Sequence, residues 1–118
     1  MTRDEINAFC EDLPGAEVSD PWGGGHDCWK VGGKMFASMG TEAEGVSLKC
    51  ADAGEAAILI EVGRAERAPY LTRGGWVMIR FGDMDANELR ERLTTSYLVV
   101  RRGLTKKVQA SLAPEPVA

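Results

Sequence analysis

Between Asp27 and Met39 two short runs of β-forming residues, Asp27-Cys-Trp-Lys-Val31 and Lys34-Met-Phe-Ala-Ser-Met39, meet at the pair Gly32-Gly33. Two consecutive glycines supply the positive φ angles that a two-residue hairpin turn needs, so the pair specifies an antiparallel hairpin. A plain two-residue turn also sets a register: Val31 faces Lys34, Lys30 faces Met35, Trp29 faces Phe36 and Cys28 faces Ala37. Trp29, Val31 and Phe36 then share one face, with Cys28, Met35, Ala37 and Met39 on the other. Both faces are apolar enough to predict at least partial cover on each side. A third run, Gly45-Val-Ser-Leu-Lys-Cys50, follows a Gly/Glu loop. Its alternation of Val46, Leu48 and Cys50 with Ser47 and Lys49 is that of a half-buried strand.

Helical patterns flank this meander. Thr2 and Glu5 have the spacing of a capping box, and Ile6, Phe9, Cys10 and Leu13 behind them form an apolar stripe ended by Pro14-Gly15. Ala16 to Asp20 reads as a short strand stopped by Pro21. Trp22-Gly-Gly-Gly-His26 reads as a hairpin connection anchored by its tryptophan. Asp52 and Glu55 open a second helix that runs to about Val62. Residues 64–70 are extended or looped, because Pro69 disfavours helix at Ala68. A turn at Thr72-Arg-Gly-Gly75 leads to a strand over Trp76–Phe81. Asp85 and Glu88 open the longest helix, with Leu89, Leu93, Tyr97 and Val100 on one stripe. Gly103 breaks it, and Thr105–Leu112 forms a short last helix.

At 118 residues the chain is one domain, residues 1–112, followed by a tail, 113–118, expected to fray. No run approaches the roughly 20 apolar residues of a membrane span. Met1-Thr-Arg-Asp-Glu5 lacks the apolar core of a secretory signal. Three cysteines, Cys10, Cys28 and Cys50, are odd in number and widely spaced, which predicts reduced, buried thiols in a cytoplasmic protein. The net charge of −4 hides an asymmetry. Residues 1–62 sum to −8 and residues 63–118 to +4. Such a split either cancels where the halves pack or presents one basic side to a partner.

The residues do not assemble a reaction. The sole histidine, His26, lies close to Cys28 in sequence but in a glycine loop without an orienting partner, so a nucleophile–base pair is not expected. It has no second ligand at metal spacing. The three loop glycines precede no helix and belong to no phosphate-binding pattern. Asp4, Glu11 and Asp12 gather on the first helix, where a hard cation could sit, but such a face reads first as solvated. No catalytic residue, metal or cofactor is expected, and the chain is read as a non-enzyme.

Four pieces of the sequence, in order, carry a resemblance: Trp29-Lys-Val-Gly-Gly-Lys-Met-Phe-Ala37; Val46-Ser-Leu-Lys-Cys50; Ala68-Pro-Tyr-Leu71 with Trp76 shortly after; and Ser96-Tyr97 followed by Leu104-Thr-Lys-Lys-Val108. On these the chain resembles the MmcQ/YjbR family of small bacterial proteins, nearly end to end. It departs from the family where a Leu-Pro-Lys-Lys run is replaced by Leu104-Thr-Lys-Lys107, and in the glycine-rich turn Arg73-Gly-Gly75. The resemblance implies an α+β, frataxin-like (CyaY-like) arrangement, one antiparallel sheet with helices packed mainly on one face. It also implies DNA binding. The residues matched to that role are Arg101, Arg102, Lys106 and Lys107, which bracket Gly103, with Arg73 as an addition beside Arg64 and Arg67. Tyr70 or Trp76 would be placed to stack on a base. The overall acidity weighs the other way, since dedicated DNA binders are usually basic. The alternative is a protein-interaction or adaptor domain without nucleic-acid binding, and a monomer is expected in either case. A contiguous basic patch would favour DNA, and an exposed apolar patch with a polar rim a protein partner.

Overall fold

A computed structural model describes residues 1–69, 71 and 74–116. Four helices and six strands follow in the order α1 (Arg3–Glu11), β1 (Ala16–Ser19), β2 (Asp27–Val31), β3 (Lys34–Met39), β4 (Gly45–Lys49), α2 (Ala53–Glu61), β5 (Glu66–Arg67), β6 (Trp76–Arg80), α3 (Ala86–Arg102) and α4 (Lys106–Ser111). The strands form one antiparallel sheet in the order β1-β2-β3-β4-β6-β5. The helix starts follow their caps. Thr2 and Glu5 close both halves of a capping box, Asp52 accepts from the Glu55 amide, and Asp85 accepts from the amides of Asn87 and Glu88. Each cap occupies amide donors that the first helical turn would otherwise leave unpaired.

The hairpin corrects the simple register. Val31 pairs with Lys34 and Lys30 with Met35, but Trp29 then pairs with Ala37 and Cys28 with Ser38. Phe36 is the extra residue of a β-bulge. The inserted residue resets the alternation, so Ala37 and Met39 join Trp29 and Val31 in the core, together with Phe36. Met35 and Ser38 turn to the opposite face. The ring of Phe36 meets Tyr97 of α3 edge-on, centroids 5.5 Å apart at 81°.

A bulge disturbs the ladder on its other side as well. Ala37 and Ser38 pair with Leu48 and Ser47, and there the β3–β4 pairing stops. The groups next in line are completed by a side chain of α3. Lys49 N–H donates to Ser96 Oγ (2.8 Å), and the Ser96 hydroxyl donates to Phe36 C=O (2.6 Å). Ser96 is fully buried. Its hydroxyl replaces one rung of the sheet and fixes α3 across β3 and β4.

Helices cover one face, and loops cover the other only in part. Ile6 and Cys10 of α1, Ala56 and Leu59 of α2, and Leu89, Leu93 and Tyr97 of α3 share a single core with Val46, Leu48, Val77 and Ile79. Ion pairs tie α3 to α2 and to the loop after it, Arg92 to Glu55 and Glu88 to Arg64. The short α4 packs at the hairpin end: a β-carbon at Gly32 would strike Leu104 and stand 3.0 Å from Val108, so the turn has room for no side chain. Residues 113–116 bond to the end of α3 through Ala113 and Glu115.

Candidate functional site

The face without helical cover carries a groove of about 820 Å³. Its floor is Met35, Ser38, Ser47 and Met78, the outward residues of β3, β4 and β6. Trp22 and His26 wall one side, Glu42 to Glu44 stand beside them, and Pro69 and Leu71 close the far side. Glycine makes the floor low. A β-carbon at Gly45 would stand 2.6 Å from Met78 Sδ, so the thioether lies across the place a side chain would occupy.

The walls are held by specific bonds. Asp20 accepts from the amides of Gly25 (2.9 Å) and His26 (3.1 Å), and these bonds, with His26 nearby, hold its carboxyl below the usual range. His26 Nδ1 lies 2.9 Å from Gly23 O, so as a donor there it leaves Nε2 as the acceptor nitrogen. Thr41 Oγ1 donates to Gly24 O at 2.5 Å. From the other layer, Arg3 of α1 reaches Gly25 O (2.8 Å), Met39 O (3.2 Å) and Gly40 O (2.6 Å), and its Nε pairs with Asp27 at 2.8 Å. Asn7 extends this junction, donating to Asp27 at 2.9 Å and accepting from Trp29 Nε1 at 2.8 Å. Burial raises the Asp27 carboxyl, but the bonds from Asn7 and Arg3 outweigh it and leave the group below its ordinary value. One arginine thus ties both groove loops to the helical layer.

Trp22 does not act as the expected anchor. It is 69% exposed, and its ring meets His26 edge-on at 5.3 Å, leaving much of the indole free. The groove residues had a faint signal in the sequence: Ser47 and Met78 occupy the non-core positions of their strands, and a serine–methionine face is neither a solvated face nor a full core.

The basic residues matched to DNA binding are divided. Arg101 is corrected from a surface contact to a structural residue, since it is only 4% exposed. Its Nη1 donates to Tyr97 Oη (2.8 Å) and Pro14 O (3.4 Å), its Nη2 to Ala113 O (2.5 Å), and Tyr97 itself bonds Pro14 O. Arg102 is exposed, but its Nε and Nη2 fork onto Glu115 at 3.1 and 2.8 Å, which raises the arginine and lowers the glutamate from their ordinary values. Lys106 and Lys107 are exposed and make no ion pair among the described residues. Arg73 and Tyr70 lie outside the described residues. Trp76 is half-buried, and Arg64 is engaged with Glu88.

Among the described residues, no group of three or more His, Cys, Asp or Glu side chains is placed to hold a metal ion. Cys10, Cys28 and Cys50 are free and buried, and burial pushes the Cys10 thiol up to about 12. No helix among them is long and apolar enough to cross a membrane.

A single antiparallel sheet, helices on one face and a grooved face opposite define a small α+β protein built on one-sided helical cover. The chain belongs to the YjbR family, whose model matches residues 11–99. Its fold is similar to the crystal structure of Deinococcus radiodurans protein DR2400, a DUF419 domain, with a TM-score of 0.81 and 26% identity over 93% of this chain and 86% of that one. No curated protein matches.

Proposed function

We propose that the chain is a non-catalytic interaction domain that holds a cationic, partly apolar peptide segment of a partner protein in the groove on its uncovered sheet face. The observation that carries this reading is the exposed Trp22 beside a methionine-floored groove whose charged lining residues, among those described, are Glu42 and Glu44. Glu44 is shared with Arg80, whereas Glu42 has no ion pair among the described residues. An indole face next to a free carboxylate suits a lysine or arginine side chain, and flexible thioethers adapt to apolar neighbours. The frataxin-like arrangement implied by the family resemblance fits this reading, since it leaves one sheet face available. Buried free thiols support a cytoplasmic setting, and a monomer is kept as the working state.

The test uses a fluorescein-labelled octapeptide of alternating lysine and valine, read by anisotropy, against its glutamate–valine counterpart. Micromolar binding of the cationic peptide alone, lost in Trp22→Ala and weakened several-fold in Glu42→Gln, is the expected result. Equal binding of both peptides, or binding indifferent to both substitutions, refutes the groove as the site.

One observation favours DNA binding as a second reading: the exposed Lys106 and Lys107, without an ion pair among the described residues, shortly after the Arg102 fork. Contacts there would be to phosphates and would carry no base preference. A short duplex that binds more weakly with rising salt, and loses affinity on joint substitution of Lys106 and Lys107 by alanine, is the outcome this reading requires.

A further inference from the structure

The end of α3 holds a carboxylate between two guanidinium groups, one dry and one wet. Glu115 takes the fork of Arg102, while its Oε2 stands 4.0 Å from Arg101 Nε, beyond hydrogen-bond reach. That Nε is buried and has no hydrogen-bond partner among the described residues. A buried donor left open is rare, because its desolvation is not repaid. Here the shortfall is one of reach: Glu115, drawn onto the Arg102 fork, leaves its nearer oxygen 4.0 Å from Arg101 Nε. A tetrahedral group with three free oxygens does not have that limit. It can satisfy the Arg102 fork with two and offer the third to Arg101 Nε.

We propose that Glu115 is an internal stand-in for a phosphate group, and that residues 113–116 are a displaceable strap over a phosphate site formed by Arg101 and Arg102. The site lies beside the N-terminal end of α4, which begins with Lys106 and Lys107. It is separate from the groove. The Arg101 guanidinium is held through Nη1 by Tyr97 and Pro14 as well as through Nη2 by Ala113 of the strap, so removing the Glu115 carboxylate alone leaves a positioned donor. The strap itself is held by an exposed fork and one bond to Ala113 O, contacts that an incoming anion can replace. The Arg101 guanidinium lies over the Tyr97 ring, 6.0 Å from centroid to Cζ.

The test compares the full chain with Glu115→Gln, whose amide keeps the size of the side chain but removes its charge. Two probes are added separately: inorganic phosphate, and a short fluorescent duplex. Binding is read by anisotropy for the duplex and by the Arg101 Nε–Hε resonance for both, a signal that a merely peripheral ion pair does not move. With Glu115→Gln, the proposal expects a 3- to 10-fold gain in affinity for at least one probe, on the order of a charge-assisted pair at a half-exposed site. The Nε–Hε peak should shift downfield on saturation, and the double variant Glu115→Gln/Arg102→Ala should lose the gain. A shift with phosphate but not duplex identifies a free phosphate ligand, and a shift with duplex identifies a nucleic-acid backbone. Affinities within twofold of the unsubstituted chain and a stationary Nε–Hε peak with both probes overturn the proposal and leave Glu115 as a surface ion pair.

Discussion

Replacing Ser96 with alanine removes the hydroxyl that stands in the gap between β3 and β4. In the intact protein Lys49 N–H and Phe36 C=O are both completed by that one oxygen, at 2.8 and 2.6 Å, in a fully buried setting. The bulge at Phe36 keeps the two strands from closing the rung themselves, and the space vacated by one hydroxyl group is too small to admit a water molecule with several partners. Each buried backbone group left without a partner costs about 1–3 kcal/mol. An orphaned carbonyl is tolerated better than an orphaned amide, so the sum for Ser96→Ala falls at about 2–4 kcal/mol. For a domain of this size that corresponds to a drop in Tm of roughly 6–16 °C. Urea unfolding followed by tryptophan fluorescence measures the loss directly, and an unchanged m-value shows that the native state alone was altered. Ser47, on the same sheet but facing the groove, serves as the control, since its hydroxyl has no such role and Ser47→Ala is expected within about 0.5 kcal/mol. A loss below about 1 kcal/mol for Ser96→Ala, with the Lys49 amide still protected from hydrogen exchange, would mean that the strands bond directly once the hydroxyl is gone. The helix would then not be part of the ladder.

Arg101→Lys should destabilise by about 2 kcal/mol in urea unfolding, because one ammonium cannot serve Tyr97, Pro14 and Ala113 from positions fixed for a planar fork; a variant as stable as the original would refute the structural role. Asp27 carries the pH dependence of the groove-to-helix junction. Its folded value lies below the unfolded one, near 3.9, so its contribution is complete above the unfolded value and disappears as pH falls through the folded value. Asp27→Asn should therefore flatten the acid limb of stability against pH below about pH 5, and an unchanged acid limb in stepwise urea titrations would remove Asp27 from the junction.

Most elements were legible because their signals are local. Capping boxes, a glycine pair and proline stops act within four residues of the structure they cause, and α1, α2, α3 and the β2–β3 turn fall where those signals place them. The bulge was not legible, because its stabilising partner is sixty residues away. Nothing between Trp29 and Ala37 announces an extra residue; what makes Phe36 bulge is that Tyr97 receives its ring and Ser96 completes the broken rung. The faces of β3 beyond Phe36 were therefore reversed in the reading by alternation alone, which put Ala37 and Met39 opposite Trp29 and Val31. A period-two pattern has no memory of an insertion, so one bulge exchanges every later side chain between core and open face.

Arg101 and Arg102 show the same limit at a single step along the chain. As letters they are identical, and a reading by charge makes them one patch. On a helix they point about 100° apart, and that rotation decides everything that follows. Arg101 lies one turn beyond Tyr97 on the buried stripe, over the Pro14 carbonyl left beyond the end of α1, where it donates to Tyr97 Oη and joins that hydroxyl on the carbonyl. A long cation is drawn inward because its stem packs while its fork satisfies groups that an apolar side chain would strand. Arg102 faces water and meets only what the chain itself brings back, the carboxylate of Glu115. The basic run from Arg101 to Lys107 thus contains one structural arginine, one arginine answered from within, and two lysines with no ion pair among the described residues. Any anion that binds this end of the molecule must compete with the tail for the second of them.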